Sequence, residues 1–166
     1  MSLTYRIENM EAFRVVGFVI HTTTENGDCM QKVPALWREV IQQGKQIELQ
    51  SLMNCSPFGL IGMSVYNTVA DDVKKFDYYI ACASDKPVPE GMEEYIVPAA
   101  TWAVFPSKSE EIHAVEVRVV TEWQPNSNYK LVNTGYETGI MSAKAPDLEI
   151  HQAGGTAEVW NAVAEK

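Results

Sequence analysis

Three cysteines, Cys29, Cys55 and Cys82, include no CxxC pair, so neither a zinc knuckle nor a thiol redox motif is available. They read as reduced thiols, with Cys82 a small core residue in a strand-like run. The histidines, His21, His113 and His151, lack any HxxxH spacing, and no GxSxG, P-loop or GxGxxG segment occurs. No metal and no cofactor is therefore expected, and triad or metal-dependent hydrolysis is disfavoured. Long apolar runs are also missing, and no basic segment leads into a hydrophobic one. The expectation is no membrane segment and a cytoplasmic location. Positive charge is scarce: 13 Lys and Arg face 22 Asp and Glu, for a net −9. Such a surface repels phosphate backbones, so this domain is not expected to bind nucleic acid by itself.

What is present suits one globular domain spanning residues 1–166, with 46% hydrophobic and 21% charged residues. The β-branched, aromatic run at 13–22 predicts a strand. Val33, Leu36, Trp37, Val40 and Ile41 then make the stripe of an amphipathic helix that Gly44 would stop. After a loose connection, 60–66 and 76–83 read as strands joined by a hairpin over Asn67 to Lys75. Two prolines and a glycine within 85–91 mark a break. Beyond it the element order repeats. Strands are expected over 94–98 and 101–106, a helix over 109–123, and short strands over 129–133, 147–151 and 158–163. The alternation of Val115, Val117 and Val119 also fits a strand, but Ile112, Val115, Val119 and Trp123 keep a helical period. Two such halves, about 1–88 and 92–166, imply antiparallel sheets with helices on one side and a cleft between them.

The segment Thr121-Glu122-Trp123-Gln124-Pro125-Asn126-Ser127 sets a carboxylate beside an indole at the end of the second helix. An acid held among rings is costly unless a cation meets it, which makes Glu122 a candidate ligand-binding residue. Periodicity alone does not choose between Glu116 and Glu122, which flank the apolar stripe on opposite sides. The helix C-terminus disfavours an anion, which argues for a purpose at Glu122. Tyr66, Tyr78, Tyr79, Trp102, Phe105, Trp123 and Trp160 could supply cation–π contacts, although each ring taken alone is better explained as core. Glu149 alternates with Leu148 and Ile150 and is either a solvated outer-face residue or a second pocket carboxylate; Glu158 has the same ambiguity.

Several stretches, in order, resemble a known family: Tyr5-Arg6-Ile7-Glu8 with Phe13 to Gly17, Pro34-Ala35-Leu36-Trp37, and Phe76-Asp77-Tyr78-Tyr79-Ile80. Others are Thr121-Glu122-Trp123 with Pro125 to Tyr129, Pro146-Asp147-Leu148-Glu149-Ile150, and Ala157-Glu158-Val159-Trp160. The chain resembles the GyrI-like small-molecule-binding domain, the effector-binding domain of AraC-type bacterial transcription regulators. That resemblance implies an α+β fold of duplicated βαββ units with pseudo-twofold symmetry, whose antiparallel sheets enclose a central ligand cleft. It implies a pocket acid at Glu122 beside Trp123, with Trp102, Tyr66, Tyr78, Phe105, Glu149 and Trp160 as further ligand-binding residues. It also implies a hydrophobic, cationic small molecule as partner, bound without catalysis. Some members are fused to a helix-turn-helix domain and others stand alone, and a homodimer is compatible with both. A minority resemble hydrolases of cyclopropane-bearing compounds, the alternative in which Glu122 acts as general base. Glu116, Val120, His151 and the Trp160-Asn161-Ala162-Val163 ending depart from the family pattern and point to a more polar pocket.

Overall fold

In the computed structural model, which describes residues 2–66, 69, 71–142 and 145–166, the strands of the described residues form one nine-stranded sheet. They are β1 (Arg6–Met10), β2 (Phe13–Thr23), β3 (Leu60–Tyr66), β4 (Lys75–Ala83), β5 (Glu93–Val97), β6 (Ala100–Lys108), β7 (Tyr129–Leu131), β8 (Leu148–His151) and β9 (Thr156–Glu165). All pairings are antiparallel, in the order β1-β6-β9-β8-β3-β4-β2-β5, with β7 added to β9.

Read outward from the junction of β3 with β8, this order is symmetric. One side runs β4, β2, β5 and the other β9, β6, β1, which gives the duplicated βαββ units and their pseudo-twofold relation. Two features go beyond the expectation. The half-sheets are joined edge to edge through β3 and β8, where Ile61 faces Ile150, so the sheet is continuous. Each half also borrows a strand: β1 pairs with β6 of the second unit, and β5 pairs with β2 of the first.

The longer helices are α1 (Asp28–Gln42), α2 (Lys45–Leu52) and α3 (Ile112–Arg118). In α1, Leu36 and Val40 are buried and Val33 and Trp37 partly so, whereas Ile41 is exposed, which narrows the expected stripe. Gly44 ends α1 in a left-handed conformation (φ 70), which a residue without Cβ adopts at little cost. The connection expected to be loose is instead α2, whose Leu49 is fully buried. The helix expected over 109–123 is composite. A 3-10 turn at Ser109–Glu111 leads into α3, which widens into a π turn at Val119–Trp123 and closes on Gln124–Asn126. In the hairpin expected over Asn67 to Lys75, residues 67, 68 and 70 lie outside the described residues.

Alternation along the strands sorts the core. One face carries Ile61, Met63, Tyr79, Leu148 and Ile150 together with Trp102, Val104 and Trp160, a cluster built from both halves and free of helices. On the other face, α1 and α2 pack Leu36, Val40 and Leu49 against Val16, Phe76 and Ile80. There α3 packs Ile112, Val115 and Val119 against Ala103, Phe105 and Val159. Between the helices, above the β3–β8 junction, a cleft is left open.

Candidate functional site

Gly62, Ser64 and Tyr66 of β3, Tyr78 of β4, Glu149 of β8, Glu116 of α3, and Asp147 and Met141 from the approach to β8 line this cleft, whose volume is ≈ 210 Å³. The register explains the set. Gly62 lies opposite Glu149, and Ser64 opposite Tyr78, so these residues point to the same face. The lack of a side chain at position 62 is what lets the neighbours approach. A Cβ there would stand 2.5 Å from the Tyr78 hydroxyl and 3.3 Å from the Trp37 ring. Trp37 Nε1 donates to the Tyr78 hydroxyl oxygen at 2.9 Å, and Trp37 meets His151 edge-on at 4.9 Å between centroids. Tyr66 stacks on Phe76 at 4.6 Å. The aromatic wall is therefore held from behind rather than loosely exposed.

The charge in this cleft is negative. Burial, then a hydrogen bond to Glu149, pushes the Glu116 carboxyl up to about 9, with the charges of Glu149 and Asp147 acting the same way. A carboxyl hydrogen-bonded to a carboxylate shares one proton, because two like charges at contact cannot both ionise cheaply. Asp147 is positioned by buried Asn133, whose Nδ2 donates to it at 3.3 Å. No ion pair among the described residues reaches Glu116 or Glu149. Burial also raises the Tyr78 and Tyr66 hydroxyls and holds the His151 ring below the usual imidazole range. Among the described residues no cluster of His, Cys, Asp and Glu could hold a metal ion. The arrangement offers an acidic floor and phenol rings.

Of the residues singled out in the sequence, Tyr66, Tyr78 and Glu149 meet in this cleft. Glu122 does not. Its side chain is 54% exposed and pairs with Arg118 one turn earlier at 2.9 Å. Asn126 Nδ2 meets the Glu122 carbonyl, so the helix end is capped without the carboxylate being sequestered. The π turn contributes, because the smaller rotation per residue carries Glu122 further round from Glu116. A hollow of ≈ 600 Å³ does lie beside Glu122 and Trp123, walled by Ser2, Leu3, Tyr5, Asn126 and Ser127. It is the larger of the two, but the acid in it is solvated and already paired. Charge environment, not size, decides for the Glu116 cleft.

The remaining rings are core. Trp123 is buried against Tyr5, Phe105 and Tyr129, and Phe105 is fully buried beneath α3. Trp102 and Trp160 pack on each other at 5.8 Å on the helix-free face, away from the cleft. Glu158 shares that face, where it binds Arg6 at 2.7 Å and receives the Trp160 Nε1 proton. The general-base alternative required a sequestered Glu122, and the exposed, ion-paired carboxylate removes that basis. Sequence reasoning named Glu116 as a flank residue without choosing it. The only local signal was an acid between Ile112, Val115 and Val119, which does not by itself separate Glu116 from Glu122.

The fold matches solved structures. A structure of SAV2435 bound to tetraphenylphosphonium superposes with a TM-score of 0.72 at 17% identity, over 98% of this chain and 94% of that one. The Vibrio cholerae integron cassette protein VCH_CASS2 gives 0.58 at 21% identity, over 96% and 95%. The C-terminal domain of EcmrR gives 0.57 at 11% identity over the full length of both, and in the EcmrR–DNA complex the match takes up 58% of that chain. At these identities the likeness establishes the fold. No curated protein matches the chain. A family model described as integron-associated effector binding protein matches residues 6–163. With that match across nearly its whole length, the chain belongs to the integron-associated effector binding proteins.

Proposed function

We propose that this protein binds a small hydrophobic cation in the cleft between α1 and α3, as the effector-sensing part of a bacterial transcription regulator or as a stand-alone binding protein. One observation carries the reading: the Glu116–Glu149 pair, unpaired with any described Lys or Arg, faces Tyr66 and Tyr78 inside a cavity. A cation with an apolar body would meet the negative charge and the ring faces together. The tetraphenylphosphonium held by SAV2435, a protein of the same fold, favours this class of ligand. The partner DNA-reading module would be a helix-turn-helix segment outside these 166 residues, as the share of EcmrR taken up by the match suggests.

Calorimetric titration with aromatic monocations of graded size, from benzamidinium to tetraphenylphosphonium, tests the proposal. Replacing one member of a buried charge pair costs a few kcal/mol, so Glu149→Gln should weaken binding by about tenfold or more. Glu122→Gln, at an exposed and locally paired carboxylate, should change it by less than about twofold. Binding that is insensitive to Glu149→Gln overturns the reading.

A further inference from the structure

The Glu116 and Glu149 carboxyls come from different elements, α3 and β8, and line the same cleft. Burial and the second acid beside it keep a proton on the pair, because two like charges so close cannot both ionise cheaply. We propose that the cleft takes its ligand in exchange for this proton, and therefore selects cations that carry N–H donors, of the ammonium or amidinium class, over quaternary cations of equal size. This inference rests on the cation-binding reading above and adds to it a chemical class and a stoichiometry.

The exchange balances. Before binding, the Glu116–Glu149 pair holds one proton between its two carboxyls; after binding, the cation takes the place of that proton, which leaves to solvent. A protonated amine or amidine can place an N–H on an oxygen of each residue, reproducing the hydrogen bond that the departing proton had made. A quaternary cation supplies charge but no donor, and leaves desolvated carboxylate oxygens without partners.

The Tyr78 hydroxyl oxygen already accepts from Trp37 Nε1, which leaves the Glu116 and Glu149 oxygens as the stronger acceptors for a ligand N–H. The titratable groups facing Glu116 are Glu149 of β8, Asp147 before it, Tyr66 of β3 and Tyr78 of β4, with His151 at the Trp37 end. Burial holds the His151 pKa below the usual imidazole range, which disfavours a competing positive charge there. The cavity volume, ≈ 210 Å³, lies below the roughly 300–1,000 Å³ usual for drug-sized ligands, which favours a compact cation.

The experiment is calorimetry with two size-matched probes, benzamidinium and phenyltrimethylammonium, between about pH 6 and pH 8 in buffers of low and high ionisation heat. Benzamidinium should bind up to about tenfold tighter for each pH unit gained, releasing close to one proton per ligand, as single-proton linkage requires. Phenyltrimethylammonium should bind about tenfold more weakly at the upper pH, having no donor for either carboxylate. Glu116→Gln, which cannot ionise, should abolish the pH slope, whereas Glu149→Gln, which leaves Glu116 buried, should weaken benzamidinium binding and keep a slope. A Kd unchanged with pH, heats that do not depend on buffer, or equal affinity for the two probes overturns the exchange. If both probes bind equally and without pH dependence, the exchange alone fails. If neither binds, the cation-binding reading falls with it.

Discussion

Glu116 keeps its proton well above the normal carboxylate range because it is buried beside Glu149. In the unfolded chain the same group ionises near pH 4.5, so between about pH 4.5 and pH 9 the folded state binds more protons than the unfolded one. Stability from this group is therefore full at low pH and is lost as pH rises through that window. Glu116→Gln escapes the loss. It should melt like the parent near pH 4 and about 3 °C or more higher near pH 8, the shift that ~1 kcal/mol produces in a domain of this size. A difference in melting temperature that stays flat from low to high pH would contradict the burial argument. Reading this acid from sequence was hard for a specific reason. Glu116 and Glu122 stand on opposite flanks of one stripe, and the local clues at Glu122, an adjacent indole and an unfavourable dipole, are answered by Arg118 and Asn126. What singles out Glu116 is the position of β8, a partner far along the chain that periodicity does not reveal.

At the scale of elements, strands with strong β-branched content were legible: β2, β3 and β4 lie within a residue or so of their expected bounds. Weaker elements were not. β1 has little alternation to mark it, and its partner β6 lies 90 to 98 residues further along the chain. α2 carries a single buried residue, Leu49, so its sequence shows no stripe. The π turn after α3 buries Val119 and Trp123, and no local pattern in the sequence marks it. β3 offers the test at this scale. Gly62→Ala would drive a methyl group into the Tyr78 hydroxyl and the Trp37 ring, a small-to-large change in a tight site that costs about 1–3 kcal/mol. We expect a lower melting temperature, a changed tryptophan emission as the Trp37–Tyr78 hydrogen bond breaks, and weaker cation binding. Unaltered emission and affinity would show that Gly62 does not support the aromatic wall.

For the whole molecule, the exchanged strands mean that the halves visible in the sequence are not units of folding. β1 belongs structurally with the second half and β5 with the first, and the helix-free core draws Val15, Met63 and Tyr79 together with Trp102, Val104 and Trp160. Fragments cut within the 85–91 break should therefore be unfolded when separate, since each loses an outer strand and one side of a shared core. Mixing them should restore the native circular dichroism spectrum. A cooperative melt from either fragment alone would show the halves to be autonomous.

The cleft inherits an unequal partition from that arrangement. Every carboxylate in it, Glu116, Asp147 and Glu149, is supplied by the C-terminal half, whereas Gly62, Ser64, Tyr66 and Tyr78 come from the N-terminal half. Electrical preference and molecular fit are thereby encoded in separate stretches of the gene. Changes confined to β3 and β4 can re-shape the guest that is accommodated while its required sign of charge stays the same.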